Sequence, residues 1–275
     1  MVGIERPAEA AISLDEAYGT YVERAGRLTQ KTVYHAQLDN IQESPKYERD
    51  ERGYYHPAAF PGFSIVTPLA GEDVDNPKFY GQLQDAQIQL LRQVSEDLLV
   101  PVPPASLHFT LADLIWADAY REATAASQEF DEQIQACVAK SFAEFARQPG
   151  ERGTLQWQVL GLMLRPRAIV AVLLPRDERS YERLLSLRRA IYQNEALLNL
   201  GVEQQYLFTA HVTLGYFGAI PPELDRVTLC ELLAATNDRW LEAEPQVFDI
   251  KRAELRRFTD MEHFSRTEKF PTLEF

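Results

Sequence analysis

Phe208-Thr209-Ala210-His211-Val212-Thr213-Leu214-Gly215-Tyr216-Phe217-Gly218 repeats at its centre what Leu107-His108-Phe109-Thr110-Leu111-Ala112-Asp113-Leu114 spells earlier in the chain. Both run His, apolar, Thr, Leu, small. Successive side chains of an extended strand point to opposite faces, so each His shares a face with the Thr two positions on. The residue between them, Phe109 or Val212, faces the core instead. Each copy thus offers an imidazole beside a hydroxyl, and two copies brought together would make a nearly symmetric site. Four positions beyond each His, Ala112 and Gly215 fall on the same face if no bulge intervenes, small enough to let a phosphate sit low over the sheet.

Working outward, Phe63 to Leu69 is a β-rich run introduced by Pro61-Gly62, and Asn76-Pro77 caps a helix whose apolar spacing runs from Leu83 to Leu98. Pro101, Pro103 and Pro104 end it and lead into the first His-x-Thr strand, expected over Leu107 to Trp116. Phe130 to Phe145 reads as a helix closed by Pro149-Gly150. A hairpin follows, from Leu155 to Leu174, turning at Arg165-Pro166-Arg167, with an almost wholly apolar second strand. Next come an amphipathic helix with Arg183, Arg188 and Arg189 on its basic side, the second His-x-Thr strand, a helix after Pro221-Pro222, and a last strand at Val247 to Leu255. The order is strand, helix, strand, helix, hairpin, helix, strand, helix, strand. Two halves, each with its own motif, are offset by roughly a hundred residues, too far for a solenoid repeat, so a duplicated α+β domain fits best.

Residues 1–61 stand apart as an N-terminal extension, with 62–275 as the main domain. Ser13-Leu14-Asp15-Glu16 has a capping-box pattern and predicts a helix to Leu28, followed by a polar, Tyr-rich connection. From Ile41 to Gly62 three prolines and four aromatics predict an irregular segment packed as cover, with a lid or specificity wall as its functional alternative.

The 275 residues suffice for a sizeable core, and no apolar run approaches a membrane span. The N-terminal residues carry acids and Pro7 where a leader would be basic and apolar, so a soluble, unexported, cytoplasmic protein without a membrane partner is expected. Cys137 and Cys230 have no Cys-x-x-Cys or Cys/His context and read as reduced core thiols. The formal charge of -13 opposes binding of long nucleic acid but leaves a small nucleotide or an RNA end as a possible substrate. Oligomeric state is not encoded in any pattern found.

Phosphodiester cleavage in line needs a base on the attacking oxygen and an acid on the leaving oxygen, on opposite sides of phosphorus. Imidazole, with an ordinary pKa of about 6.5, can serve as either at one pH. His108 and His211 are therefore the candidate acid-base pair, with the hydroxyls of Thr110 and Thr213 donating to the non-bridging oxygens. That chemistry requires no metal and no cofactor. His35, His56 and His263 lie outside such strands and are left out. Tyr216 and Arg257 are secondary substrate-binding candidates; Trp116 could stack on a base, Arg256 is expected in solvent, and Arg165 and Arg167 read as surface turn residues. The sequence carries no Gly-rich phosphate loop, no nucleophile elbow and no zinc spacing.

The paired His-Phe-Thr and His-Val-Thr motifs, the intervening hairpin with its Arg-Pro-Arg turn and the helix after it resemble the 2H phosphoesterase superfamily, also called LigT-like, from about Gly62 onward. The resemblance implies a bilobal duplicated α+β fold, two antiparallel sheets flanked by helices, with the motifs facing across a central cleft. It also implies a phosphodiesterase acting on 2',3'-cyclic nucleotides, RNA ends in RNA processing, ADP-ribose cyclic phosphates or 2'-5' linked oligonucleotides, with His108 and His211 as acid and base and Thr110 and Thr213 holding phosphate. The N-terminal extension and the acidic charge depart from compact members, so the substrate does not transfer. The competing reading is a non-catalytic module binding a nucleotide or phosphorylated ligand in the same cleft. A third, purely structural role for the motifs would leave the imidazoles more than about 10 Å apart, beyond the reach of one phosphate.

Overall fold

A computed structural model describes residues 14–95, 97–150 and 152–275. The chain opens with helices α1 (Tyr18–Leu28) and α2 (Lys31–Leu38), a small ribbon β1 (Tyr47–Arg49) and β2 (Tyr55–Pro57), and strand β3 (Gly62–Val66). Helix α3 (Pro77–Leu91) and strand β4 (Leu99–Pro101) lead to β5 (Thr110–Trp116), α4 (Ala117–Ala126) and α5 (Phe130–Arg147). The hairpin β6 (Leu155–Arg165) and β7 (Ala168–Pro175) precedes α6 (Glu178–Tyr192), α7 (Glu195–Asn199) and β8 (His211–Phe217). Helix α8 (Arg226–Glu242) and strands β9 (Val247–Ile250), β10 (Arg252–Phe258), β11 (Phe264–Ser265) and β12 (Thr272–Glu274) complete it.

The fold is α+β, with two five-stranded antiparallel sheets flanked by helices. One runs β11-β10-β3-β5, with β12 also on β10; the other runs β4-β8-β7-β6-β9. Each sheet holds one motif strand. The Pro-rich stretch after β4 includes a single 3-10 turn, Pro104–Ser106, and carries the chain from the second sheet into the first. It delivers Phe109 into an antiparallel bridge with Val212, the point where the two motifs touch. Phe109 and Val212 are fully buried, and the Phe109 ring packs on Trp157 and Phe208 at 5.5 and 6.2 Å.

The hairpin forms as its alternation predicts, and the predicted last strand divides at Lys251 into β9 and β10, one in each sheet. Helix α3 stops at Leu91, short of the expected Leu98, while α2, α4 and the β1–β2 ribbon form where sequence alone suggested connections. Helix α1 begins at Tyr18 behind Ala17, which supplies no side-chain cap. Ser13 lies outside the described residues, and Glu16 binds Arg24 in place of capping. Residues from the N-terminal segment enter the core: Tyr21, Ala25, Tyr34 and Leu38 are all fully buried, and Tyr34 donates to the Leu162 carbonyl at 2.5 Å. Among the described residues no helix is long and apolar enough to cross a membrane.

Both motif strands carry an extra residue directly after the threonine. In β5, Val66 pairs with Thr110 and Ile65 with Ala112, leaving Leu111 unopposed; in β8, Val170 pairs with Thr213 and Ile169 with Gly215, leaving Leu214 unopposed. A bulge shifts the alternation by one, so the face shared by His and Thr continues at Asp113 and Tyr216, three positions beyond each Thr. The expectation for Ala112 and Gly215 is thereby corrected. Ala112 is fully buried, and a Cβ on Gly215 would stand 2.9 Å from both Leu99 Cδ1 and the Val100 carbonyl, against strand β4 and away from any phosphate. Gly215→Ala should destabilise the protein by about 1–3 kcal/mol through that overpacking, read as a lowered urea midpoint at constant slope.

Candidate active site

A cleft of about 700 Å³ opens between the two motif strands, with His108, Thr110, His211 and Thr213 among its lining residues. The Phe109–Val212 bridge fixes how they meet. In that antiparallel register His108 stands across from Thr213 and Thr110 across from His211. The two histidines occupy diagonal positions, a relation that sets side-chain roots about 7–8 Å apart, close enough to flank one phosphorus.

The two imidazoles are oriented in the same way. His108 Nδ1 lies 2.7 Å from the Ser106 carbonyl, and His211 Nδ1 lies 2.7 Å from the Thr209 carbonyl. A carbonyl only accepts, so Nδ1 carries the proton in both, and Nε2 is left as the acceptor on the neutral ring. The His108 ring is braced edge-on by Phe264 at 4.5 Å between centroids. Arg165 Nη2 approaches His211 Nδ1 at 3.5 Å, a contact between two donors that works against a second proton on the ring.

Both histidines are half-buried and held as neutral bases. Removal from water pushes His108 down to about 4, with Arg256 adding to the shift and the Ser106 carbonyl opposing it. For His211 burial and then Arg165 push the value to about 3 against the Thr209 carbonyl, and Lys46 and His108 lower it further.

The cleft is cationic on one side. Among the described residues Arg165 pairs with no carboxylate, and its buried Nε has no hydrogen-bond partner. Lys46 lies 4.7 Å over the Phe60 ring and 5.0 Å over the Tyr216 ring, with Nζ 3.5 Å from the Tyr216 hydroxyl. Arg167 reaches Gln42 at 3.4 Å. Among the described residues Asp113 is the only carboxylate in the lining. It accepts from the Tyr206 hydroxyl, and burial together with that carboxylate raises the Tyr206 phenol well above its ordinary value. Trp116, Phe258 and Phe264 add aromatic surface.

Several expectations change here. Tyr216 lines the cleft and donates to Met261 Sδ at 3.3 Å. Arg257 does not line it: strand alternation turns Phe258 toward the cleft and Arg257 to the other face, 3.5 Å from Asp131 and over Tyr120. Arg256 is not in solvent but 1% exposed, paired with Glu254 and Glu72. Arg165 and Arg167, read as surface, face the cleft, and so do Gln42, Ser44, Pro45, Lys46 and Phe60 of the segment read as cover, which forms a wall. Asp113 was hidden by the bulge, and only a misplaced polar residue in an apolar strand hinted at it. His35, His56 and His263 pair instead with Cys230, Asp50 and Asp260, and both cysteines are free thiols.

The geometry invites comparison with known structures. A conserved protein of unknown function from Agrobacterium tumefaciens aligns over 77% of this chain and 86% of its own, at 16% identity and a TM-score of 0.52. The fold is shared. Other structural neighbours carry the names phosphoesterase and LigT. A phosphoesterase aligns over 78% of this chain and 99% of its own at 15% identity and a TM-score of 0.44, and E. coli LigT complexed with 3'-AMP over 79% and 98% at 15% and 0.39. No family model and no curated protein matches the sequence.

The lowered histidines set a pH dependence. An unfolded chain takes up protons on these rings near the ordinary value of about 6.5, and the folded one does so only near 4 and 3, so stability falls as pH drops through that window. Urea midpoints should decline between about pH 6.5 and 4.5, and a His108→Gln/His211→Gln double variant should flatten the decline; an unchanged slope would contradict the buried neutral pair. Arg165→Met should raise the His211 pKa in an NMR titration while leaving His108 in place.

Proposed function

We propose that this chain is a phosphodiesterase that hydrolyses a cyclic phosphate on a nucleotide or RNA end, with His108 and His211 as its base and acid. One observation carries the reading: two imidazoles flanking the antiparallel Phe109–Val212 bridge, each with Nδ1 tied to a backbone carbonyl and Nε2 left for the cleft. The substrate's phosphorus sits between them, with non-bridging oxygens on the hydroxyls of Thr110 and Thr213 and near the unpaired Arg165 guanidinium. One neutral imidazole takes a proton from water as the water oxygen bonds to phosphorus. The other, protonated, hands its proton to the ribose oxygen as the P–O bond to that oxygen breaks. The product is a phosphomonoester, and the first ring's proton returns to solvent or to its partner. Every group invoked is a side chain of this protein, so activity survives EDTA.

Both rings are neutral in the empty cleft at neutral pH, so the acid acquires its proton with the anionic substrate, whose charge favours the imidazolium. Lys46, Tyr216, Trp116 and Asp113 contact the nucleoside in this reading, Asp113 as acceptor for its donors and the rings as stacking surface.

The test is a panel of 2',3'-cyclic nucleotides, a short RNA with a cyclic phosphate end and an ADP-ribose cyclic phosphate. His108→Ala and His211→Ala should each lose about 10²–10⁴-fold in kcat while keeping the wild-type unfolding transition. Full activity in either variant refutes the paired mechanism. Tight binding of the panel without product from any member favours the non-catalytic module. Because kcat/KM reports the free enzyme, its pH optimum should lie on the acid side, about one unit or more below that of kcat, following histidines lowered to about 4 and about 3.

A further inference from the structure

The three residues that feed His211 into its strand are each held by side chains of one helix far away in sequence. Arg24 of α1 donates from Nη2 to the Phe208 carbonyl at 2.5 Å and from Nη1 to Thr209 Oγ1 at 2.8 Å. Its other edge is locked by Glu16, with Nε 2.8 and 2.9 Å from the two carboxylate oxygens and Nη2 at 2.7 Å. Tyr21, one turn earlier, accepts from the Ala210 N–H at 3.2 Å and donates to the Leu173 carbonyl at 2.8 Å. The carbonyl that orients His211 is that of Thr209, between the two anchored neighbours. Arg24 and Glu16 are 19% and 12% exposed, enough shielding for a two-point fork to hold a fixed geometry.

The first motif is braced differently, by backbone: the Gly71 and Ala70 N–H groups donate to the Ala105 and Leu107 carbonyls at 2.9 and 2.8 Å. Ser106, whose carbonyl orients His108, is tied through its hydroxyl to the Glu262 carbonyl, and Phe109 N–H donates to Thr67 Oγ1. The two halves are therefore alike at the imidazole and different one residue behind it.

We infer that Arg24 is a positioning residue for His211: it fixes the Thr209 carbonyl and through it the Nδ1–H tautomer and the aim of Nε2. Its effect on turnover rests on the hydrolase reading above; its effect on the ring does not. Without the clamp the Phe208–Ala210 backbone swings, the carbonyl bond is made only part of the time, and the Nε2–H tautomer, which cannot act as base toward the cleft, is populated. The fault lies in chemistry and not in binding, because Arg24 is not among the residues lining the cleft.

The experiment is ¹⁵N NMR of the imidazoles in the full chain, with His108 as the internal control, beside steady-state kinetics. Wild type should show both rings as Nδ1–H tautomers. Arg24→Ala should move His211 alone toward a mixed tautomer, lower kcat about tenfold or more and leave KM within about threefold, and Arg24→Lys should restore part of both. A His211 signal unchanged in Arg24→Ala overturns the inference, as does a parallel change at His108, which would mark general loosening. Should Arg24→Ala fail to fold, Thr209→Val removes one of the two anchors and is read by the same signal and the same outcomes. If wild type turns over no substrate, the hydrolase reading fails and the tautomer comparison still decides the role of Arg24.

Discussion

A surplus residue directly after the threonine of each motif strand governs the rest of the site. Leu111 and Leu214 interrupt the ladders directly after Thr110 and Thr213, and an interrupted ladder leaves a carbonyl in need of a donor. Buried side chains meet both needs. Arg188 of α6 donates to the Leu111 carbonyl at 2.6 Å, and Gln87 of α3 donates to the Leu214 carbonyl at 2.7 Å, joined there by the Val102 N–H at 3.0 Å. The residues that make the irregularity tolerable come from helices on opposite halves, so the duplication extends from the motif to the support behind it.

These supports also join the halves. The Arg188 guanidinium lies 4.3 Å over the Phe208 ring while it bonds Leu111, so one buried cation touches both motifs. Gln87 divides its amide between the Leu214 and Val102 carbonyls, holding β8 against the segment that turns toward the other sheet. On the basic side of α6, Arg188 is 4% exposed and Arg183, over the Phe145 ring, 9%. Charge on an amphipathic helix is normally read as a water-facing side; at Arg188 it serves a backbone carbonyl inside the fold.

The sequence made the duplicated motif, the hairpin and the large helices legible because each is a local pattern, a period or a punctuation. It also made the two histidines and two threonines legible, since repetition at fixed spacing survives any uncertainty about the elements. What it hid follows from one assumption, uniform alternation. A bulge has no sequence signature of its own, so Ala112 and Gly215 were put where Asp113 and Tyr216 stand. Arg256 and Arg257 part for a related reason: adjacent strand residues face opposite ways, and sequence did not say which face lay toward Glu72 and which toward Asp131. Arg165, Lys46 and Arg24 were hidden by distance, because the contacts that tie them to His211, Tyr216 and Thr209 span 46, 170 and 185 residues of chain.

The tie between α1 and the run before His211 has a bearing on assembly. Helix α1 is synthesised early, yet its Arg24 meets Thr209 only after 185 further residues. Helix α1 is also too short to be stable alone, at 11 residues. The bond therefore closes one of the longest loops in the molecule, at an entropic cost repaid only when both sheets have collapsed. The carbonyl that orients the second histidine is therefore fixed late, and the first motif is fixed no earlier, since Ser106 waits for Glu262 and His108 for Phe264, both nearer the end of the chain.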